Sequence, residues 1–150
     1  MLCFEIFKNY EDLSQNYSDQ IVVEFLYKHL DEFGDSKQAI KKSLDYAFST
    51  EKGKGGFLLI ATKDKQICGV LIMNSTGMKD YIPENLLVYI AVDAQFRGQG
   101  IGSSIIKKAK EECNGNIALH VEYENPAKRL YERVGFKSKY AEMRWERKEE

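Results

Sequence analysis

Val88-Tyr89-Ile90-Ala91-Val92-Asp93-Ala94-Gln95-Phe96-Arg97-Gly98-Gln99-Gly100-Ile101-Gly102 is the stretch in which the chain passes from one apolar period to another. Leu86 to Val92 is a short, almost wholly apolar run, the pattern of a buried strand. Beyond the glycines, Ile101, Ile105, Ile106 and Ala109 recur every three or four residues, the pattern of a helix with one buried face. The turn Arg97-Gly98-Gln99-Gly100-Ile101-Gly102 therefore stands at a helix start. There the first N–H groups have no intrahelical partner and the positive end of the helix dipole is exposed, which suits a phosphate. Glycine permits positive φ and removes Cβ atoms that would hold a diphosphate off the backbone, and Arg97 can add a charge-assisted contact. A tight strand-to-helix turn with no ligand would use the same glycines.

Two phosphate loops can be tested against the turn. The P-loop needs four residues between its glycines and then Gly-Lys-Ser/Thr, whereas Ser103 follows Gly102 with no lysine. The dinucleotide fingerprint fits as a near miss, Gly98-x-Gly100-x-x-Ser103, with Glu122 after the next strand as a ribose acid. It stands as an alternative that predicts a nucleotide-dependent oxidoreductase. Against it, Asp93 to Arg97 separates strand from glycine, and only one strand-helix-strand crossover follows.

Outward from this centre, the chain reads as alternating elements. Cys3 to Lys8 alternates as a strand, and Ile21, Val22, Phe25, Leu26, Leu30 and Phe33, then Ile40, Leu44, Ala47 and Phe48, mark two helices. Phe57 to Thr62 and Ile67 to Asn74 are strands joined through Lys63-Asp64-Lys65-Gln66, an antiparallel pair. Ile117 to Val121 reads as a strand, Asn125 to Val134 as a helix and Met143 to Arg147 as a last strand. The order βααβββαβαβ implies an α/β (α+β) fold with a mixed, mostly antiparallel central sheet flanked by helices. At 150 residues, 43% of them apolar, one domain over residues 1–150 is expected. A net charge of −1 gives no field to gather nucleic acid or an anionic membrane. No apolar run approaches the roughly 20 residues that span a bilayer. Cys3, Cys68 and Cys113 are odd in number and far apart, as reduced thiols are, and no paired Cys or His spacing suggests a metal. The expected location is the cytoplasm.

The stretch from Val88 to Gly102 resembles the acetyl-CoA-binding motif of the GNAT superfamily of N-acyltransferases, whose core pattern is Gln/Arg-x-x-Gly-x-Gly/Ala. A second block, Asn125-Pro126-Ala127-Lys128-Arg129-Leu130-Tyr131-Glu132-Arg133-Val134-Gly135-Phe136, is similar to the family's Asn-x-x-Ala-x-x-x-Tyr-x-x-x-Gly-Phe. The resemblance implies a GNAT fold, acetyl-CoA as co-substrate, no metal, and transfer of the acyl group to a primary amine by direct attack. It implies that Arg97, Gly98, Gln99, Gly100, Ile101 and Gly102 hold the CoA diphosphate. It also implies that backbone groups of Ile90, Ala91 and Val92 bind the pantetheine arm where the strand splays from its neighbour. Asn125 meets that arm and Lys128 approaches the phosphates by the same resemblance, although Asn-Pro is also a helix-capping pair. Tyr131 is expected to protonate the departing thiolate; its spacing with Ala127, Leu130 and Val134 equally suits a buried helix face.

The general base is open. Family members with a carboxylate near the strand carrying Leu86 and Leu87 differ from this chain, where those positions are apolar. Glu84, Asp80, Glu122 and Glu124 are candidates, Glu84 first, and Tyr89 could orient a water. His120, between Leu119 and Val121, reads as a structural histidine on a strand. The expected partner is a small-molecule or peptide amine, with neither nucleic acid nor membrane, and a homodimer is a permitted assembly. A CoA-binding sensor without catalysis is the competing reading from another class.

Overall fold

The computed structural model describes residues 1–148. The elements are β1 (Leu2–Phe7), α1 (Tyr10–Leu13), α2 (Asp19–Leu30), α3 (Lys37–Ala47), β2 (Gly56–Lys63), β3 (Gln66–Ser75), β4 (Asn85–Val92), α4 (Ile101–Glu112), β5 (Ile117–Leu119) and α5 (Ala127–Arg133). The early helices begin where a short polar side chain satisfies an orphan N–H: Ser18 accepts from Ile21 and Ser36 from Ala39, each at 3.1 Å. None of the described helices is long and apolar enough to cross a membrane.

The sheet runs β1-β2-β3-β4-β5, antiparallel except for the β4–β5 pair. The β2–β3 hairpin turns through Asp64 and Lys65, both at positive φ, which matches the twist of the flanking strands. One sheet face, with Leu58, Ile60, Val70, Ile72, Tyr89 and Ala91, packs against Val22, Leu26, Ile40 and Leu44 of α2 and α3. The other, with Leu59, Ala61, Leu71, Met73 and Leu87, packs against Ile101, Ile105, Ile106 and Ala109 of α4 and Tyr131 of α5. Strict alternation would put Leu87 and Tyr89 on one face, yet they lie on opposite faces. The cause is a bulge: Ile72 pairs with Tyr89 and Met73 with Leu87, so Val88 is the extra residue.

The expected mixed, mostly antiparallel sheet flanked by helices is the one found, with two differences in its elements. A single helical turn, α1, follows β1. Met143 to Arg147 forms no strand: it joins no ladder, Met143 is 93% and Trp145 76% exposed, Arg144 pairs with Glu142, and Arg147 lies over the Trp145 ring. Two-residue alternation creates one apolar face, but a strand also needs a neighbour to take its backbone bonds.

Candidate active site

Two features meet at the C-terminal end of β4. Pairing with β5 covers only Asn85, Leu86 and Leu87, against Ile117, Ala118 and Leu119. From Val88 to Val92 the strand remains hydrogen-bonded to β3 but has no partner on its other edge. The sheet thus opens into a cleft at the bulge, beside Ile90, Ala91 and Val92. Immediately beyond, Gly98 and Gly100 adopt φ of 80° and 77°. A Cβ at either would meet nothing within 4 Å, so the backbone there faces open space. The first intrahelical bond of α4 runs from the Ser104 N–H to the Gly100 carbonyl, and no side chain caps the helix. The N–H groups of Ile101, Gly102 and Ser103 are left for an outside acceptor. Open space, bare amides and the positive helix end fit an anionic diphosphate.

The residues of the turn divide by role. Gly102 is glycine for packing: a Cβ there would stand 2.9 Å from Leu130 Cδ2, so its absence lets α5 approach α4. Arg97 does not point its charge at the open turn; its guanidinium donates to the carbonyls of His29 (2.9 Å) and Val92 (3.2 Å), tying the end of α2 to the end of β4. Beside it, His29 Nδ1 accepts from the Ala94 N–H at 3.4 Å and Nε2 lies 3.6 Å from the Asp93 carboxylate. Burial lowers the His29 pKa, with Asp93 opposing. The Gln99 side chain accepts from Lys63 Nζ at 2.8 Å, so a cation reaches the turn from the end of β2, a residue no local motif marks.

Tyr131 stands on the α4–α5 side. It is 8% exposed, edge-on to the Phe136 ring at 6.0 Å, and burial alone pushes its pKa up to about 12. The phenol is therefore a proton donor throughout the neutral range. Asn125 lies just before α5, its Oδ1 accepting from the Ala127 N–H at 2.9 Å, and Lys128 is half-buried in the first turn. Both lie on the segment that carries Tyr131.

Glu84 stands at the end of β4 away from the glycine turn. Glu84 lies against Gly115 and accepts from the Asn116 N–H at 3.3 Å, before β4 begins and after α4 has ended. It precedes Val88, where the free β4 edge begins, by four residues, roughly 13 Å at the rise of a β-strand, while the whole of β4 lies between it and the glycine turn. Glu122 and Glu124 are exposed beyond β5, and His120 is exposed just past the end of that strand rather than packed within it. On the sheet face opposite Tyr131, Tyr89 donates to Asp35 Oδ2 at 2.5 Å. Desolvation, with Asp35 adding to it, raises the Tyr89 pKa strongly, so this phenol too stays protonated. The Tyr89–Asp35 pair leaves no sequence signal, since the two are 54 positions apart. A groove of about 680 Å³ between α2 and α3 includes no residue of β4, the glycine turn or α5 among its lining.

Comparison with known proteins agrees with this geometry. A family model described as acetyltransferase (GNAT) domain matches residues 54–138, more than half of the chain. Among solved structures, a GNAT-family acetyltransferase from Streptococcus pneumoniae TIGR4 is 17% identical, with TM-score 0.64, covering 99% of this chain and all of that one (100%). A ribosomal-protein-alanine N-acetyltransferase from Brucella melitensis biovar Abortus 2308 is 16% identical (TM-score 0.62; 97% of this chain, 99% of that chain). An aminoglycoside acetyltransferase from an uncultured soil metagenomic sample, in complex with sisomicin, is 15% identical (TM-score 0.62; 98% and 97%). At these identities the likeness is one of fold. Comparison with curated proteins gives no match.

Proposed function

From the premise that the chain belongs to the GNAT acetyltransferase family, we propose that it moves an acetyl group from acetyl-CoA to the nitrogen of a primary amine by direct attack, with both substrates bound together. Family membership makes it an acyltransferase. The observation that carries the finer reading is the succession of two features: the unpaired β4 edge from Val88 to Val92 is followed, after the short turn Ala94–Phe96, by the uncapped glycine turn with open space before it. Neither half of a dinucleotide-binding fold is built here, because the sheet has one parallel pair and is otherwise antiparallel.

Acetyl-CoA supplies an acyl group activated as a thioester. The turn from Gly98 to Gly102 receives the diphosphate through backbone N–H groups, and Lys63, already at Gln99, adds the nearby positive charge. The free β4 edge around Ile90, Ala91 and Val92 offers hydrogen bonds to the amide-bearing arm, and an N–H there meets the oxyanion that develops on attack. Asn125, just before α5, meets that arm, and Lys128, in the first turn of α5, approaches the phosphates. As the C–N bond forms and the C–S bond breaks, Tyr131 gives its proton to the thiolate and regains one from water, while the amine releases its proton to solvent. Cytoplasmic residence fits a CoA-dependent reaction and a buried, free Cys68.

The test is thiol release from acetyl-CoA across polyamines, amino acids, aminoglycosides and peptides, run beside melting scans with CoA and NAD. CoA binding should add about 2.7 kcal/mol of stability at a hundredfold excess over Kd. A shift with CoA and no turnover with any amine would favour a CoA-binding sensor; a shift with NAD but not CoA would overturn the reading.

A further inference from the structure

The two faces of the sheet are unequally equipped at the cleft. Tyr131, α4 and α5 occupy one face of β4. On the other face the free stretch of β4 contributes Tyr89, first residue after the bulge, whose ring is 9% exposed and lies within the α2–α3 core. A phenol placed so deeply requires an acceptor at its tip, and Asp35, in the connection leading to α3, provides it. Asp35 is itself exposed, and only its Oδ2 is engaged by Tyr89. Tyr89 is the donor of this bond and the carboxylate its acceptor. No Lys or Arg among the described residues forms a salt bridge with it: Arg144 pairs with Glu142 and senses Asp35 only as a weaker attraction.

We propose that Asp35, held in place by Tyr89, is the recognition site for the acceptor's ammonium group, which makes the preferred substrate a cationic amine approaching the cleft from the face opposite Tyr131. The proposal rests on the acyltransferase reading for the direction of approach. Tyr89 belongs to the free stretch of β4, so the hydrogen bond at its tip holds the exposed carboxylate on that face of the cleft, and a charge-assisted hydrogen bond to ammonium is the strong interaction available to it. Tyr89 is a positioning residue: it fixes the carboxylate and does not itself meet the substrate. The ammonium delivers its proton to the water around exposed Asp35 before the nitrogen lone pair attacks.

A matched pair of probes separates this role from simple anchoring of the α3 connection. Butylamine is cationic at neutral pH and O-butylhydroxylamine is neutral, at nearly equal size. Binding of each to the CoA-saturated protein is followed through the tyrosine ring resonances, with Tyr89→Phe identifying the Tyr89 signal. Wild-type protein should prefer butylamine by roughly tenfold or more. Asp35→Asn keeps an oxygen to accept from Tyr89 but removes the charge, so the melting temperature should hold while the preference disappears; Asp35→Glu should restore part of it. Equal response of the wild-type protein to both probes, including none to either, or a preference that survives Asp35→Asn, overturns the proposal. Failure of the acyltransferase reading looks different: no thiol release from acetyl-CoA by any amine, whatever the butylamine preference.

Discussion

Replacing Tyr131 by Phe deletes one oxygen and tests the proposed acid without disturbing its surroundings. The ring is almost wholly buried and packs edge-on against Phe136, contacts that Phe retains. Burial is the sole cause of its raised pKa, so no hydrogen bond to another side chain is lost with the hydroxyl. The stability change should therefore stay within about 0.5 kcal/mol, as for substitutions that neither open a cavity nor strand a partner. The rate should respond far more. A positioned acid contributes about a hundred- to ten-thousandfold, and water can replace part of it, so kcat should fall by roughly ten- to a thousandfold, or about 1.4 to 4 kcal/mol of barrier. With a phenol pKa of about 12, the acid form persists from pH 6 to 10, so a basic limb of kcat inside that window belongs to another group. The assay is thiol release at saturating acetyl-CoA across this range, with the KM for acetyl-CoA and the melting temperature measured alongside. Parental kcat in a Phe variant of equal stability would refute the assignment and leave protonation to solvent.

Gly100→Glu should abolish CoA binding measured by calorimetry, because it places a side chain and a negative charge in the open space before α4; the φ of 77° adds about 1 kcal/mol or more of strain to a fold that still forms. Arg97→Ala should act first on stability, lowering it by roughly 1 to 2 kcal/mol in a urea titration, since both carbonyl contacts of the guanidinium are lost, and should change CoA affinity less than Lys63→Ala does. Alkaline stability should fall in a defined window. Tyr131 titrates near 10 when unfolded and near 12 when folded, so its contribution is complete below pH 10 and is lost as pH rises through 12. Tyr131→Phe should thus flatten the decline seen in unfolding measured between pH 9 and 12.

The central strand, the glycine turn and the helix after it were legible because each rests on local rules: apolar period, positive φ at glycine, and bare amides at a helix start. The same locality explains the failures. Met143 to Arg147 has the right period, but period alone does not supply an edge, and the segment stays exposed. Arg97 lies in the right motif, yet its side chain is claimed by the carbonyl of His29, 68 positions away. Gly102 matched the motif too, and the reason for its missing side chain is Leu130 on another helix. The Val88 bulge carries no composition signal, because a bulge is a property of the pairing between β3 and β4.

That bulge joins the legible half of the site to the illegible half. Without it, Tyr89 would share a face with Leu87 and point towards α4 and α5, on the side of Tyr131 and the glycine turn. With it, Tyr89 turns to the α2–α3 face and reaches Asp35. The bulge also falls where β4 leaves β5, so the residue that re-aims the side chain is the first of the free backbone edge. On the proposed reading, that one irregular residue divides the cleft into a face that receives the phosphate-bearing donor, on the side of Tyr131, and a face whose carboxylate holds the acceptor's ammonium until loss of a proton frees its lone pair. Under that reading the amine and the thioester meet across β4 from its two faces, a division made by strand register rather than by any motif.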